Sequence, residues 1–135
     1  MTKHILIVDD QPDLLTLMRM LLEDQQYQVS VLQDGTGTLE HVRAHQPDLI
    51  ILDLKLANMS GLDVLHTLKA HSATADVPVI VYTAAIIEAE AVEALVTREP
   101  RHYAGVSVLQ KPFDLDVLLD RVNMMLGTAE GLSRE

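Results

Sequence analysis

The chain has 135 residues, 48% of them hydrophobic and 22% charged, which is one domain's worth of polypeptide with enough apolar material for a packed core. Ten Lys and Arg against twenty Asp and Glu leave a formal charge of −10, which argues against wrapping nucleic acid or coating an anionic membrane. The absence of cysteine excludes a disulfide scaffold, a thiolate metal site and a cysteine nucleophile.

Met1-Thr2-Lys3-His4 leads directly into a short apolar run with no signal-peptide layout. That run, His4 to Val8, is the first predicted strand and is followed by Asp9-Asp10. Pro12 suits a first helical turn, and Leu14, Leu15, Met18, Leu21 and Leu22 recur at helical spacing. Gln28 to Leu32 alternates like a half-buried strand and stops at the turn signal Asp34-Gly35. A helix is expected over Thr36 to His45, with Leu39 and Val42 inward. Leu49 to Leu52 is a continuous apolar run of the kind found in a central parallel strand. Gly61 to Ala70 reads as a helix with Leu62, Leu65 and Leu68 in register, and Val79 to Thr83 as the fourth strand.

Residues 86–98 form an Ala- and Glu-rich helix in which Ile87, Ala91 and Leu95 keep the i, i+4 period. The stretch from Glu99 to Gly105 has no periodicity and reads as a loop before a short fifth strand, Val106 to Leu109. Asp114 is placed to cap a last helix carrying Leu115, Leu118, Leu119, Val122 and Leu126. Gly127 to Glu135 is polar and expected to fray, so the domain is read as 1–126 with a tail at 127–135. The longest mostly apolar stretch, Val77 to Ile87, is far too short to span a bilayer, and a cytoplasmic protein is expected. Strands alternating with helices of these lengths give an α/β chain, (βα)5, with a parallel sheet covered on both faces.

In an open parallel sheet the ligand crevice lies beyond the carboxyl ends of the strands. Four predicted strands end there in polar residues: Asp9 and Asp10, Asp53, Thr83, and Lys111. Taken singly, an Asp after a strand is a helix cap, a Thr reflects β-propensity, and a Lys before Pro is a solvated loop residue. Together they carry more. Three carboxylates at one crevice repel each other unless a cation sits among them, and hard oxygen ligands in small number suit Mg²⁺. A hydroxyl and an ammonium across the crevice answer the oxygens of a phosphoryl group, and a carboxylate such as Asp53 can accept one to give an aspartyl phosphate.

With these residues in place the sequence resembles the receiver domain of two-component response regulators, from about His4 to Leu126. The resemblance rests on the acidic pair in Ile7-Val8-Asp9-Asp10, on Leu52-Asp53-Leu54 with Gly61 eight residues beyond Asp53, on Thr83-Ala84, and on Lys111-Pro112-Phe113. It implies a doubly wound, flavodoxin-like sheet in the order 2-1-3-4-5. It further implies that Asp53 is phosphorylated by a sensor histidine kinase or a histidine phosphotransfer protein. Asp10 and Asp53 would bind Mg²⁺ directly, Asp9 mostly through water, and the Lys55 backbone carbonyl would be a further ligand. Thr83 would bond the phosphoryl group and move toward it, Lys111 would pair with a phosphoryl oxygen through a cis Lys111-Pro112 unit, and Ala84 would keep the approach open. The switch would be a population shift of the strand-four and strand-five surface toward a downstream protein.

Several positions depart from that pattern. Val108 stands where relatives carry Tyr or Phe, so the usual aromatic relay is expected to be missing or altered; Tyr82 and Tyr103 are the alternatives, with simple packing the plainer account of both. The interval from Thr83 to Lys111 is 28 residues, longer than expected, and the segment 100–105 puts the family's usual homodimer in doubt. Ala57 replaces a frequent Pro. Lys55 reads either as a solvated lysine or as a cover over the phosphoryl group, and Ala85 offers nothing to orient an attacking water; together they suggest a long-lived phosphoaspartate. His41 and His45, at i, i+4, lack a third metal ligand and read as a solvated face. Met18, Met20, Met124 and Met125 read as core filler or helix surface.

With nine residues after the last predicted helix, no output domain is expected in this chain, and its catalysis would be confined to its own phosphorylation and dephosphorylation. Three other classes compete. A phosphohydrolase with an Asp nucleophile would place a second Asp where Lys55 stands. A flavin module would need a Gly- and hydroxyl-rich loop where Asp9-Asp10-Gln11-Pro12 stands. A receiver-like fold that never takes phosphate would lack these site residues.

Overall fold

The computed structural model describes residues 2–56, 59–111 and 114–127. Five strands and five helices alternate: β1 (His4–Val8), α1 (Pro12–Asp24), β2 (Gln28–Leu32), α2 (Thr38–His45), β3 (Leu49–Asp53), α3 (Gly61–Ala70), β4 (Val79–Thr83), α4 (Ile86–Arg98), β5 (Val106–Gln110) and α5 (Leu115–Leu126). All neighbouring strands run parallel, in the order β2-β1-β3-β4-β5.

Alternation along the central strands divides the core. Ile5, Ile7, Leu49, Ile51, Ile80 and Tyr82 pack with Leu15, Met18 and Leu22 of α1 and Leu118 and Val122 of α5. Leu6, Val8, Ile50, Leu52, Val79 and Val81 face the other way, against α2, α3 and α4. Successive side chains point to opposite faces, so strands buried on both sides must be apolar at every position, as β3 is until its terminal Asp53.

Gly61 explains the spacing after Asp53. A Cβ at this position would sit 2.5 Å from the Leu54 Cα and closer still to the Asp53 carbonyl oxygen. Only glycine lets α3 begin against the end of β3, where the Gly61 N–H bonds the Leu54 carbonyl at 3.0 Å and Ser60 caps the Leu62 N–H at 3.1 Å.

Three local expectations are corrected. Helix α2 starts at Thr38 rather than Thr36, because the Asp34 carboxylate captures the Thr36 N–H at 3.0 Å and its hydroxyl in a turn. Asp114 stands at the head of α5 but makes no side-chain cap; its carbonyl takes the Val117 N–H instead. The fully buried face of α4 is Ala89 and Val92; of the Ile87–Ala91–Leu95 row, Leu95 packs partly against the core while Ile87 is 81% exposed.

The segment 99–105 is tied down rather than loose. Lys69 of α3 is buried, and its ammonium donates to the Ala75, Val77 and Ala104 carbonyls at 2.8, 3.1 and 3.1 Å. Tyr103 is buried beside it, its hydroxyl 3.4 Å from His66 Nδ1. Gly105 turns with a φ of +80° and hands its carbonyl to the Val79 N–H that opens β4. The rings of His41 and His45 stack at 4.3 Å, Met18 lies in the core, Met125 packs against it, and Met20 and Met124 are exposed. Ala57, Pro112, Phe113 and residues 128–135 lie outside the described residues, and with them the Ala57, cis-peptide and frayed-tail expectations.

Candidate functional site: an acidic crevice at the strand ends

The carboxyl ends of β1, β3 and β4 and the residue after β5 bring Asp9, Asp10, Asp53, Thr83 and Lys111 to one edge of the sheet. Adjacent strands in parallel register do this: Val8 pairs with Leu52 and Asp53 with Tyr82, so the residues that follow emerge side by side.

Asp9 is fully buried; its Oδ1 accepts the Gln11 N–H at 2.7 Å, and its Oδ2 accepts the Tyr82 hydroxyl. Asp53 is 3% exposed; its Oδ1 accepts the Lys55 N–H at 3.0 Å, and its Oδ2 lies 3.8 Å from the Lys111 Nζ. One carboxylate oxygen from each of Asp9, Asp10 and Asp53 lies within 4.8 Å of the others. Burial pushes the Asp53 carboxyl up to about 6; the Lys55 N–H and Lys111 pull it down, and Asp9 and Asp10 add to the rise. Negative charge packed this closely suits a hard divalent cation, and an all-oxygen set matches Mg²⁺ better than a softer metal. Among the described residues no other acidic or histidine cluster converges in this way, and the stacked His41 and His45 form no such group.

Across the crevice, Thr83 is buried; its hydroxyl accepts the Ala85 N–H at 3.0 Å and donates to Glu88 Oε1 at 3.3 Å. Lys111 is anchored through its backbone N–H to the Thr83 carbonyl at 2.8 Å, and its Nζ stands 4.7 Å from the Tyr82 ring centroid. Ala84 and the Lys55 side chain are exposed at the rim, and Ala85 is half-buried. Val108 lies partly buried on the α4 side of β5, with no aromatic ring at that position.

Two participants escaped the sequence reading. Glu88, at the first turn of α4, holds the Thr83 hydroxyl, and nothing in a helix of alternating Ala and Glu marks one Glu above another. Tyr82 does more than pack, because its hydroxyl ends on Asp9. A phenol in the middle of a buried strand needs a partner, and that was the available signal.

The family model for the response regulator receiver domain matches residues 5–123. The chain belongs to this family. Among curated relatives, the receiver domain is 35% identical over 126 residues to the response regulator ArlR of Staphylococcus saprophyticus, covering 93% of this chain and 53% of that protein. It is 37% identical over 119 residues to the transcriptional regulatory protein KdpE of Mycobacterium tuberculosis, covering 87% and 48%. The chain thus spans about half the length of these relatives. Among solved structures, a CheY-like receiver domain protein from Methanospirillum hungatei superposes with a TM-score of 0.79 at 26% identity, covering 97% of this chain and 98% of that one. The signal receiver domain of a LuxO repressor protein from Vibrio parahaemolyticus gives 0.76 at 27% identity, covering 98% and 96%. Among the described residues of this receiver domain, no helix is long and apolar enough to cross a membrane.

Proposed function

We propose that this receiver domain takes a phosphoryl group onto Asp53 from a phosphohistidine of a sensor kinase or phosphotransfer protein. The P–N bond of the donor breaks, a P–O bond to an Asp53 carboxylate oxygen forms, and the histidine leaves with a proton from solvent. The observation that carries this reading is the packing of two further carboxylates, Asp9 and Asp10, around the Asp53 acceptor, with a lysine 3.8 Å from it and the Thr83 hydroxyl at the end of the neighbouring strand. Asp10 and Asp53, with the Lys55 carbonyl, would hold Mg²⁺, and Asp9 would act from behind them with both oxygens already bonded. Bound Mg²⁺ would screen the charges of the acceptor and of the incoming phosphoryl oxygens.

Lys111 then neutralises a phosphoryl oxygen, and Ala84, with no side chain beyond Cβ, leaves the approach clear. Thr83 exchanges Glu88 for a phosphoryl oxygen, which couples the chemistry to the α4 and β5 surface read by a downstream protein in the cytoplasm. With Val108 in place of an aromatic, that surface changes without a ring rotating on β5. Lys55 at the rim and Ala85, which cannot orient water, favour slow hydrolysis.

Intact mass after incubation with acetyl phosphate tests this. A single Mg²⁺-dependent phosphoryl adduct is expected in wild type and none in Asp53→Asn. Folded wild-type protein that forms no adduct, or an adduct that persists in the variant, overturns the assignment of Asp53. In the same samples Lys55→Ala should lose its phosphoryl group several-fold faster; an unchanged decay removes Lys55 from the account.

A further inference from the structure

Tyr82 touches both halves of the site. It is fully buried in the core beneath α1 and α5, one residue before Thr83 and in register with Asp53. Its backbone carbonyl accepts the Leu54 N–H at 3.1 Å, so its Cα is fixed beside the acceptor strand. Its hydroxyl donates to Asp9 Oδ2, and its ring face lies 4.7 Å from the Lys111 Nζ. An aliphatic side chain would fill this part of the core without bringing a polar atom that has to be satisfied. The phenol reaches instead to a buried carboxylate of the acidic cluster and leaves its π-face under the ammonium.

We propose that Tyr82 is a positioning residue of the site: its hydroxyl sets the orientation of Asp9 and its ring seats Lys111, so one rigid side chain fixes the spacing between the metal side and the phosphoryl side. This rests on the receiver-site reading above. Asp9 is held between two donors, the Gln11 N–H on one oxygen and the phenol on the other. With only the first remaining, the carboxylate is free to turn about χ2, and loss of such an outer partner costs about 10–100-fold in metal affinity. Lys111, partly exposed and on a flexible four-carbon stem, is confined by the ring beneath it.

The test is calorimetric titration of Mg²⁺ into wild type, Tyr82→Phe and Tyr82→Leu, with proton NMR of the Lys111 ε-methylene. Tyr82→Phe keeps the ring and should bind Mg²⁺ about tenfold more weakly while retaining the ring-current shift on Lys111. Tyr82→Leu should lose both. A Phe variant that binds Mg²⁺ within about twofold of wild type overturns the role of the hydroxyl, because a tyrosine that only packs would leave metal affinity alone. A Lys111 shift insensitive to Tyr82→Leu overturns the role of the ring. One measurement needs no substitution: the wild-type Tyr82 hydroxyl proton, shielded and bonded to Asp9, should shift with Mg²⁺ at the calorimetric midpoint, and a resonance left unmoved counts against the proposal. Wild type that binds no Mg²⁺ overturns the receiver-site reading and this role with it, whereas equal binding by wild type and Tyr82→Phe overturns this role alone.

Discussion

Charge is buried at both ends of the sheet, and the two ends treat it in opposite ways. At the amino ends of β4 and β5, Lys69 is enclosed with each of its three N–H donors on a backbone carbonyl, from Ala75, Val77 and Ala104. At the carboxyl ends, Asp9, Asp10 and Asp53 are pressed together with a single lysine 3.8 Å from one of them. The first arrangement is closed, because a buried ammonium with three acceptors has nothing left to bind. The second is unbalanced: three carboxylates share a single lysine, and burial, with Asp9 and Asp10 adding to it, raises the Asp53 carboxyl. Balanced buried charge marks the structural end of the sheet, and unbalanced buried charge the candidate site.

Three substitutions sharpen the contrast. The largest effect is expected from Lys69→Met, which keeps the stem but orphans three carbonyls at the junction of α3, β4 and the 99–105 segment. Urea denaturation should show a loss of about 3–5 kcal/mol, because three buried carbonyls lose their donor together, while the folded fraction still takes phosphoryl from acetyl phosphate. A loss below about 1 kcal/mol would make Lys69 an incidental lysine.

Asp53→Asn should act in the opposite direction. The Asp53 carboxyl stands at about 6 against its ordinary 3.8, so the folded chain binds a proton more readily than the unfolded one. Its contribution is therefore intact below the ordinary value and lost as pH rises through 6. Relative to wild type, the Asn variant should gain about 3 kcal/mol at pH 8 without metal. The gain should fade toward pH 4 and shrink when Mg²⁺ stabilises wild type. A gain independent of pH would trace to something other than this charge.

The smallest effect concerns Glu88→Ala, which releases the Thr83 hydroxyl. The rate of adduct formation from acetyl phosphate should rise about two- to fivefold, the worth of one half-exposed hydrogen bond. A fall in rate would mean that Glu88 holds Thr83 in the reactive arrangement rather than away from it.

The strands and most helix limits were legible because period and punctuation are local: Leu49 to Leu52 has no polar break, and Pro12 and Gly61 stand where helices begin. The acidic crevice was legible because one topology sends every strand end to the same edge, so Asp9, Asp10, Asp53, Thr83 and Lys111 could be gathered without coordinates. Contacts across the fold were not. The reach of Lys69 to Ala104 spans 35 positions and that of Tyr82 to Asp9 spans 73, and no periodicity reports on either. The buried face of α4 was misread for a related reason. Its small and apolar residues are spread around the helix, so the i, i+4 row from Ile87 looked as good as the pair Ala89 and Val92, which the sheet selects.

That pair has a mechanical consequence. Helix α3 is riveted to the sheet by Val64, Leu65 and Leu68, with Gly61 clamped against Leu54 and Lys69 pinned beneath. Helix α4, thirteen residues long, has a shallower keel: only Ala89 and Val92 are fully buried, with Leu95 and Val96 partly buried beside them. Apolar contact forfeited on sliding scales with the area buried, so displacing α4 as a rigid rod costs less than displacing α3. Glu88 stands one residue before that keel, and the exposed Ile86 and Ile87 stand just before Glu88. A tug on Thr83 would thereby reach, through Glu88, a helix more easily displaced than α3, and one that carries an oily prow.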